Sequence, residues 1–324
     1  MDSFQTSPLS GKVERDPASS WRGWTAKTGE DTARTLLRGM SRAAGQVSRI
    51  WGRGMDPSDP SNQDPDFIEK VALPVLRILL KHYFRTEAEG LENIPREGPF
   101  LVVSNHNGGP ILPDTWMMLA IYWSEFGAAR PGYAVVHDFA FRVPVVKTFL
   151  GKVGAIRASR ENARKILEMG GPLVVYPGGT EDCFKSFWKR HKICFENRTG
   201  FIRLALEKKV PILPVVSTGG HEVYFTLLSS RKLAKWTGLS RWARVKSCPV
   251  NVGLPWGIWM TGFLPYIPLP AKLKFKVGTL IHLEPPPSRA MENGFVEASY
   301  RRVVHIMQGM LEELAAERRW PVLG

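Results

Sequence analysis

The chain is predicted to be α/β: a mixed, mostly parallel sheet flanked by helices, with an N-terminal amphipathic helical extension. Three observations predict this. Between residues 99 and 283, short β-rich runs alternate with helical ones, as expected for a sheet covered by helices. Two of the apolar runs, near residues 100 and 173, end in Gly-Gly turns, where open α/β sheets place their sites. With 324 residues and 44% hydrophobic content, the chain can bury a sizeable core.

Residues 1–66 form an extension rich in Ser, Asp, Pro, Arg and Gly, and residues 67–324 form the folded domain. Within the extension, Arg34, Arg38, Arg42, Arg49 and Arg53 recur at spacings of four or seven, while Leu36, Leu37, Met40, Ala44, Val47, Ile50 and Trp51 recur at three or four. No acid falls between Asp31 and Asp56, which suits a helix lying in an anionic lipid interface; a helix packed on the protein with its Arg face in water fits the same pattern. Met55 to Asp66, dense in Asp, Pro and Ser, reads as a linker.

Phe67 to Phe84 is nearly all apolar, with Lys70, Arg77 and Lys81 on one stripe and Pro74 expected to kink it. Its mid-segment charges favour lying flat or packing as a core helix over spanning a bilayer. Predicted strands are Phe100 to Asn105, Tyr133 to His137, Val153 to Ala158, Leu173 to Tyr176, Ile212 to Ser217 and Lys274 to Leu283. Predicted helices are Leu112 to Glu125, Arg160 to Met169, Thr199 to Lys209 and Ala290 to Arg319, the last with Val303, Met307, Met310, Leu311 and Leu314 at core spacing. Ser247 to Ala271 carries no charge and five prolines, so it reads as an irregular apolar flap bearing Trp256, Trp259, Phe263 and Tyr266.

The formal charge of +14 favours polyanionic partners. No zinc-finger spacing, RNP-type signature or recognition-helix motif accompanies it, so nucleic acid recedes behind an anionic membrane surface or a coenzyme. Cys183, Cys194 and Cys248 show no C-x-x-C pattern and cannot all pair, which points to a reducing compartment. The first residues lack an apolar signal core. No cluster of His, Cys and carboxylates has metal-ligand spacing, so no metal is expected.

The chemistry concentrates in Ser104-Asn-His-Asn-Gly-Gly-Pro-Ile-Leu-Pro113, followed by Asp114. A buried strand delivers His106 onto a Gly-rich turn with a carboxylate a short loop away. No Ser or Cys nucleophile is arranged beside it in sequence, and G-x-S-x-G is absent. A base without a covalent partner suits deprotonation of a substrate hydroxyl, so that the substrate itself attacks. Pro172-Leu-Val-Val-Tyr-Pro-Gly-Gly-Thr-Glu-Asp182 forms a second strand-end loop, whose glycines permit close approach of a ligand to backbone N–H groups. His82, His137, His191, His221, His282 and His305 are read as structural or surface residues.

Taken in order, "VVSNHNGGPILPD", "GKVGAIRASRENARKIL", "LVVYPGGTEDCF" and "TGFIRLALEKKVPILPVV" resemble the four blocks of the glycerolipid acyltransferase family, lysophosphatidic acid acyltransferase type. The third block is most similar to the P-G-G branch shared with diacylglycerol acyltransferase-like proteins. The resemblance implies that His106 is the general base and that Asp114 holds its tautomer. It implies substrate contacts from Asn107, Gly108 and Gly109, from Arg157 and Arg160, and from Pro177, Gly178, Gly179, Thr180 and Glu181. It implies no cofactor, an acyl donor on CoA or acyl-carrier protein, a lipid hydroxyl acceptor, and a peripheral or monotopic place on the cytoplasmic face of a membrane.

Two departures shape the expectation. Seven residues separate His106 from Asp114 where the family has four, and Ile111 stands at the usual acid position. Glu181 stands where the common third block has an Arg that suits a phosphate, so a neutral acceptor such as diacylglycerol is favoured over 1-acylglycerol-3-phosphate. Arg157, Arg160, Lys185, Lys189 and Arg190 remain as cations for phosphate. Competing readings are a non-catalytic membrane-binding scaffold and an esterase that uses "HNGGP" as an oxyanion loop.

Overall fold

The computed structural model describes residues 55–238, 247–261, 264, 266–284 and 292–323. The amphipathic helix expected before residue 55, and Phe263, lie outside these residues. The main sheet contains β1 (Glu87–Glu89), β2 (Leu101–Ser104), β3 (Tyr133–Val136), β4 (Ala155–Arg157), β5 (Leu173–Val175), β6 (Ile212–Thr218) and β10 (Lys274–Val277). Their order is β1-β10-β6-β2-β5-β3-β4. The five from β6 to β4 run parallel; β10 is antiparallel to β6, and β1 parallel to β10. This is the mixed, mostly parallel α/β sheet expected from the sequence.

Alternation within the strands sorts the core into two layers. Val102, Val174, Leu213, Val215 and Phe275 face one layer, which holds a helical run over residues 65–83 and α1 (Pro113–Phe126). Leu101, Val103, Leu173, Val175 and Ile212 face the other, under α3 (Arg160–Glu168), α5 (Gly200–Lys208) and α8 (Asn293–Ala316). All four residues of β2 are buried, so the strand reads as one continuous apolar run. Ser159 caps α3 by accepting the N–H of Asn162 at 3.0 Å.

Several segments depart from expectation. Residues 55–66 are docked rather than linking: Pro60 is buried, Pro57 O accepts the N–H of Arg157, and Gln63 donates to Gly132 O at 3.0 Å. Asp64 pairs with Lys152 at 2.7 Å and caps the 65–83 run by accepting the N–H of Phe67. That run is a core helix, burying Phe67, Ile68, Leu73, Leu76 and Leu80; a π turn over Ile68–Ala72 immediately precedes Pro74, which cannot donate a helical hydrogen bond. Pro144–Lys152 forms α2, a helix the sequence reading missed.

The apolar flap is in part regular. Cys248–Gly253 and Gly257–Met260 are strands β8 and β9; β8 pairs antiparallel with both β9 and β7 (Phe225–Ser230) in a second, three-stranded sheet. The segment expected as one strand from Lys274 to Leu283 keeps ladder geometry to Val277, after which Ile281 makes an isolated bridge to Ile212.

Candidate active site

The two glycine loops of the site hang from the carboxyl ends of β2 and β5, beside the end of β6. Beyond Ser104, Asn105 donates to Ser217 O and accepts the Ser217 N–H at 2.8 Å, which locks the exit of β2 to the end of β6. Asn107 donates to the same carbonyl and to Ser217 Oγ. His106 is thereby held between two clamps on one neighbour.

The long loop to Asp114 closes through a tight 3-10 turn, Gly109–Ile111, entered through Gly108 at φ +90° and Gly109 at φ +65°. A side chain at Gly109 would collide with the Tyr224 ring, so the loop needs both the left-handed backbone and the missing Cβ. Leu112, itself left-handed, opens α1 with Pro113 at its first position, which puts Asp114 in the first turn where the helix dipole favours a carboxylate. The departure in spacing is therefore absorbed by the turn, and Ile111 serves as backbone acceptor for Trp116.

His106 Nδ1 lies 2.8 Å from Asp114 Oδ2, with the imidazole 12% exposed and the carboxylate 2%. Asp114 also accepts the N–H of Asn107 at 2.9 Å and of Thr115 at 2.7 Å. Because its partner is an acceptor, the neutral ring carries its proton on Nδ1 and keeps a lone pair on Nε2. The ring stacks on Tyr176 with centroids 4.2 Å apart, and the Tyr176 hydroxyl accepts from Thr115 Oγ1. Burial opposes a charged imidazole here, yet the Cys183 sulfur and the Asp114 carboxylate outweigh it and raise His106 well above the ordinary histidine value.

Tyr176 opens the second loop, which continues into the short α4 (Gly179–Cys183). Asp182 Oδ2 accepts the backbone N–H of His106 at 2.7 Å, joining the two loops. Arg198 donates to Pro177 O and Gly178 O and braces the turn from below. Cys183 Sγ is 3.3 Å from Gly109 O. A thiol thus sits at the imidazole, although 76 residues separate the two in sequence; no linear pattern around residue 106 could reveal it.

The loops open into a cavity of about 910 Å³. His106, Arg160, Pro177, Gly179 and Thr180 line it, with Asp114 behind the histidine. Its walls are apolar, including Val135, Phe139, Val146 and Leu204, and its rim carries Arg160, Arg198 and Arg203. Such a site suits an amphiphile with an apolar body and an anionic head. Arg203 lies within the fourth block, where no cation was singled out from the sequence.

Other expected contacts lie elsewhere. Asn107, Gly108, Gly109 and Gly178 shape the loops without lining the cavity. Arg157 pairs with Asp138 at 3.2 Å. Glu181 accepts from Ser247 Oγ and lies 3.7 Å from Arg231, so its length carries it away from the opening. Lys185 is sealed in an ion pair with Asp182, and Arg190 stacks on Phe187, so neither is a free phosphate ligand. Among the described residues no group of His, Cys and carboxylates is placed to hold a metal ion, and no helix is long and apolar enough to cross a membrane.

Residues 85–218 match the protein family described as Acyltransferase. An uncharacterized protein of Mycobacterium tuberculosis is 32% identical over 259 residues, covering 79% of this chain and 68% of its own length. A bovine protein named DGAT1/2-independent enzyme synthesizing storage lipids is 32% identical over 169 residues, 52% of this chain and 48% of its own. The chain thus matches about half the length of that relative. The crystal structure of the 1-acyl-sn-glycerophosphate (LPA) acyltransferase from Thermotoga maritima superposes with a TM-score of 0.46 at 18% identity, covering 89% of this chain and 98% of that one.

Proposed function

The chain belongs to the acyltransferase family, and from that premise we propose that it moves a fatty acyl group from acyl-CoA or acyl-carrier protein to a hydroxyl of a glycerolipid. The observation that carries this reading is the His106–Asp114 pair at 2.8 Å, with the imidazole at the wall of a deep apolar cavity. Nε2 takes the acceptor hydroxyl proton, and Asp114 stabilises the imidazolium that forms. The acceptor oxygen attacks the thioester carbonyl, the tetrahedral adduct expels the thiolate, and the imidazolium returns the proton to that sulfur. No acyl-protein is formed in this scheme.

A neutral acceptor, diacylglycerol or a similar lipid, is the preferred substrate. Glu181 occupies the place of the family's phosphate-binding Arg and is itself committed to Ser247 and Arg231. That position therefore offers no cation to an acceptor phosphate. The vertebrate relative named for storage-lipid synthesis supports the same class. A 1-acylglycerol-3-phosphate acceptor is the second reading, favoured by Arg160 and Arg203 at the cavity rim. In the preferred reading those cations hold the phosphates of the donor.

The protein works peripherally on the cytoplasmic face of a membrane, held by its basic surface and its N-terminal segment, with no metal or bound cofactor required. An acceptor screen with one labelled acyl thioester, comparing neutral and phosphorylated glycerides and wild type with His106→Ala, tests the assignment. Transfer to phosphorylated acceptors alone would reverse the preference. Transfer undiminished in the alanine variant would remove the histidine mechanism.

A further inference from the structure

We propose that the outer face of the three-stranded sheet β7-β8-β9 is a membrane-docking surface for anionic lipid. The register pairs Leu228 with Val250 and Val250 with Met260, and in the next row Val252 with Ile258. These five apolar side chains therefore share one face, and four of them are exposed, Ile258 at 69%. The opposite face of the same strands carries Thr226, Asn251 and Trp259, all buried, with Thr226 Oγ1 donating to Asn251 Oδ1 at 3.1 Å. The usual polarity of a half-buried sheet is inverted here over these rows, with the Thr226–Asn251 pair inside and aliphatic rows outside. Exposure of such a face to water is unfavourable, and contact with an apolar medium relieves it.

The patch continues through the β8–β9 connection, where Leu254 and Trp256 are exposed, and onto Ile267, which bridges to Leu254. Across Ser247 to Ala271 the sequence offers no charge. Cations and tryptophans are instead placed at the margin. The ring of Phe187 stacks on Phe225 of β7 at 4.1 Å, and the next residues are Trp188, 73% exposed, and Lys189. After β7 comes α7 (Arg231–Trp236), in which Lys232, Lys235 and Trp236 are exposed. An aliphatic centre rimmed by Trp and Lys matches the layering of a bilayer surface, where tails, interface and anionic headgroups succeed one another. The formal charge of +14 strengthens attraction to such a surface and opposes pairing with a second copy.

The buried side of this sheet reaches the catalytic loop. Trp259 meets Tyr224 with ring centroids 6.0 Å apart, Tyr224 meets Tyr266 at 4.6 Å, and the Tyr266 hydroxyl donates to Gly108 O at 2.7 Å. Docking this face would link the lipid surface to the His106 loop through the sheet and this chain of rings, which matters functionally on the acyl-transfer reading above.

The test is co-sedimentation of the full chain with vesicles of phosphatidylcholine containing phosphatidylglycerol, comparing wild type with Trp256→Ser/Ile258→Ser/Met260→Ser. The expected result is at least about a tenfold weaker partition, from loss of three inserted side chains, with transfer from a soluble thioester in detergent unchanged. Retained detergent activity also shows that the variant is folded and keeps the docking result separate from the acyl-transfer reading. If the triple variant does not fold, Trp256→Ser alone, at the exposed connection, is expected to weaken partition severalfold. Equal binding of folded variant and wild type would overturn the proposal. So would absence of wild-type binding, or binding that vanishes on deleting residues 1–54 and ignores these substitutions. A wild-type dimer that the substitutions dissociate without altering vesicle binding would assign the face to a second copy and overturn it equally.

Discussion

The Lys185 ammonium and the Asp182 carboxylate meet at 2.7 Å with both side chains almost wholly out of water, and the other carboxylate oxygen accepts the backbone N–H of His106. Lys185 also donates to Lys192 O at 2.6 Å. Burying such a pair rarely adds net stability, so its retention is best explained by the geometry it imposes on the catalytic loop.

Breaking this pair should therefore separate stability from positioning. Lys185→Met strands a buried carboxylate and is expected to cost about 3–5 kcal/mol in denaturant unfolding. Replacing both members, Lys185→Met with Asp182→Leu, should recover much of that stability but not the activity, because the His106 N–H has lost its acceptor. A double variant as active as wild type would show that Asp182 does not position the histidine.

His106→Ala should lower acyl transfer by about a thousandfold, and Asp114→Asn by roughly a hundredfold or more, because the amide can stabilise the wrong tautomer. The two variants also differ in pH response. With Asp114 in place the imidazole is raised well above its ordinary value, so activity should climb with pH through that raised value as the base is freed. In Asp114→Asn the rising limb should move to lower pH. A limb that stays in place after the substitution would detach His106 from the observed titration.

Cys183 supplies the sharpest check on direct transfer. Its sulfur shares the cavity with His106 and donates toward Gly109 O, so an acylated cysteine is geometrically conceivable. Direct attack by the acceptor predicts that Cys183→Ser keeps activity within a few-fold, since a serine can make the same contact to the carbonyl. It also predicts no thioester-linked acyl group on the wild-type protein by intact mass after donor alone is added. A stable acyl-Cys183 species consumed on adding acceptor would replace the proposed mechanism.

Legibility from sequence followed the range of the interactions. Parallel strands buried on both faces, such as Val102-Val103 and Val174-Val175, announce themselves as apolar runs, and His106 with Asp114 sits on one loop. Contacts between distant segments left no linear trace. Cys183 meets Gly109 only through the packing of two loops, and the same packing brings Asp182 to the backbone N–H of His106, 76 positions away in sequence. Glu181 was legible as an exception to the family pattern, but its direction toward Ser247 was not. The β8–β9 hairpin was hidden because its prolines and outward aliphatic rows mimic an irregular flap.

His221 gives the stability profile its acid side. Buried with both ring nitrogens lacking a hydrogen-bond partner among the described residues, it is held well below the ordinary histidine value by burial first, then by Lys185, His106, His191 and Arg190. His191, half-buried beside Arg190, Arg318 and Lys185, is lowered to about 4. As pH falls below about 6.5, the unfolded chain takes up protons on these two rings before the folded protein does, so stability must fall. His106 has the opposite sign: its raised folded-state value stabilises fully below about 6.5 and loses that contribution as pH rises through it. Unfolding free energy should therefore peak near neutral pH. His221→Leu removes one acid-side group, and its stability should decline less steeply between about pH 6.5 and 5, by at most about 1.4 kcal/mol per pH unit. Denaturant titrations of both proteins across that window decide the matter, and parallel acid limbs would mean that His221 takes up its proton in the folded state as readily as in the unfolded chain.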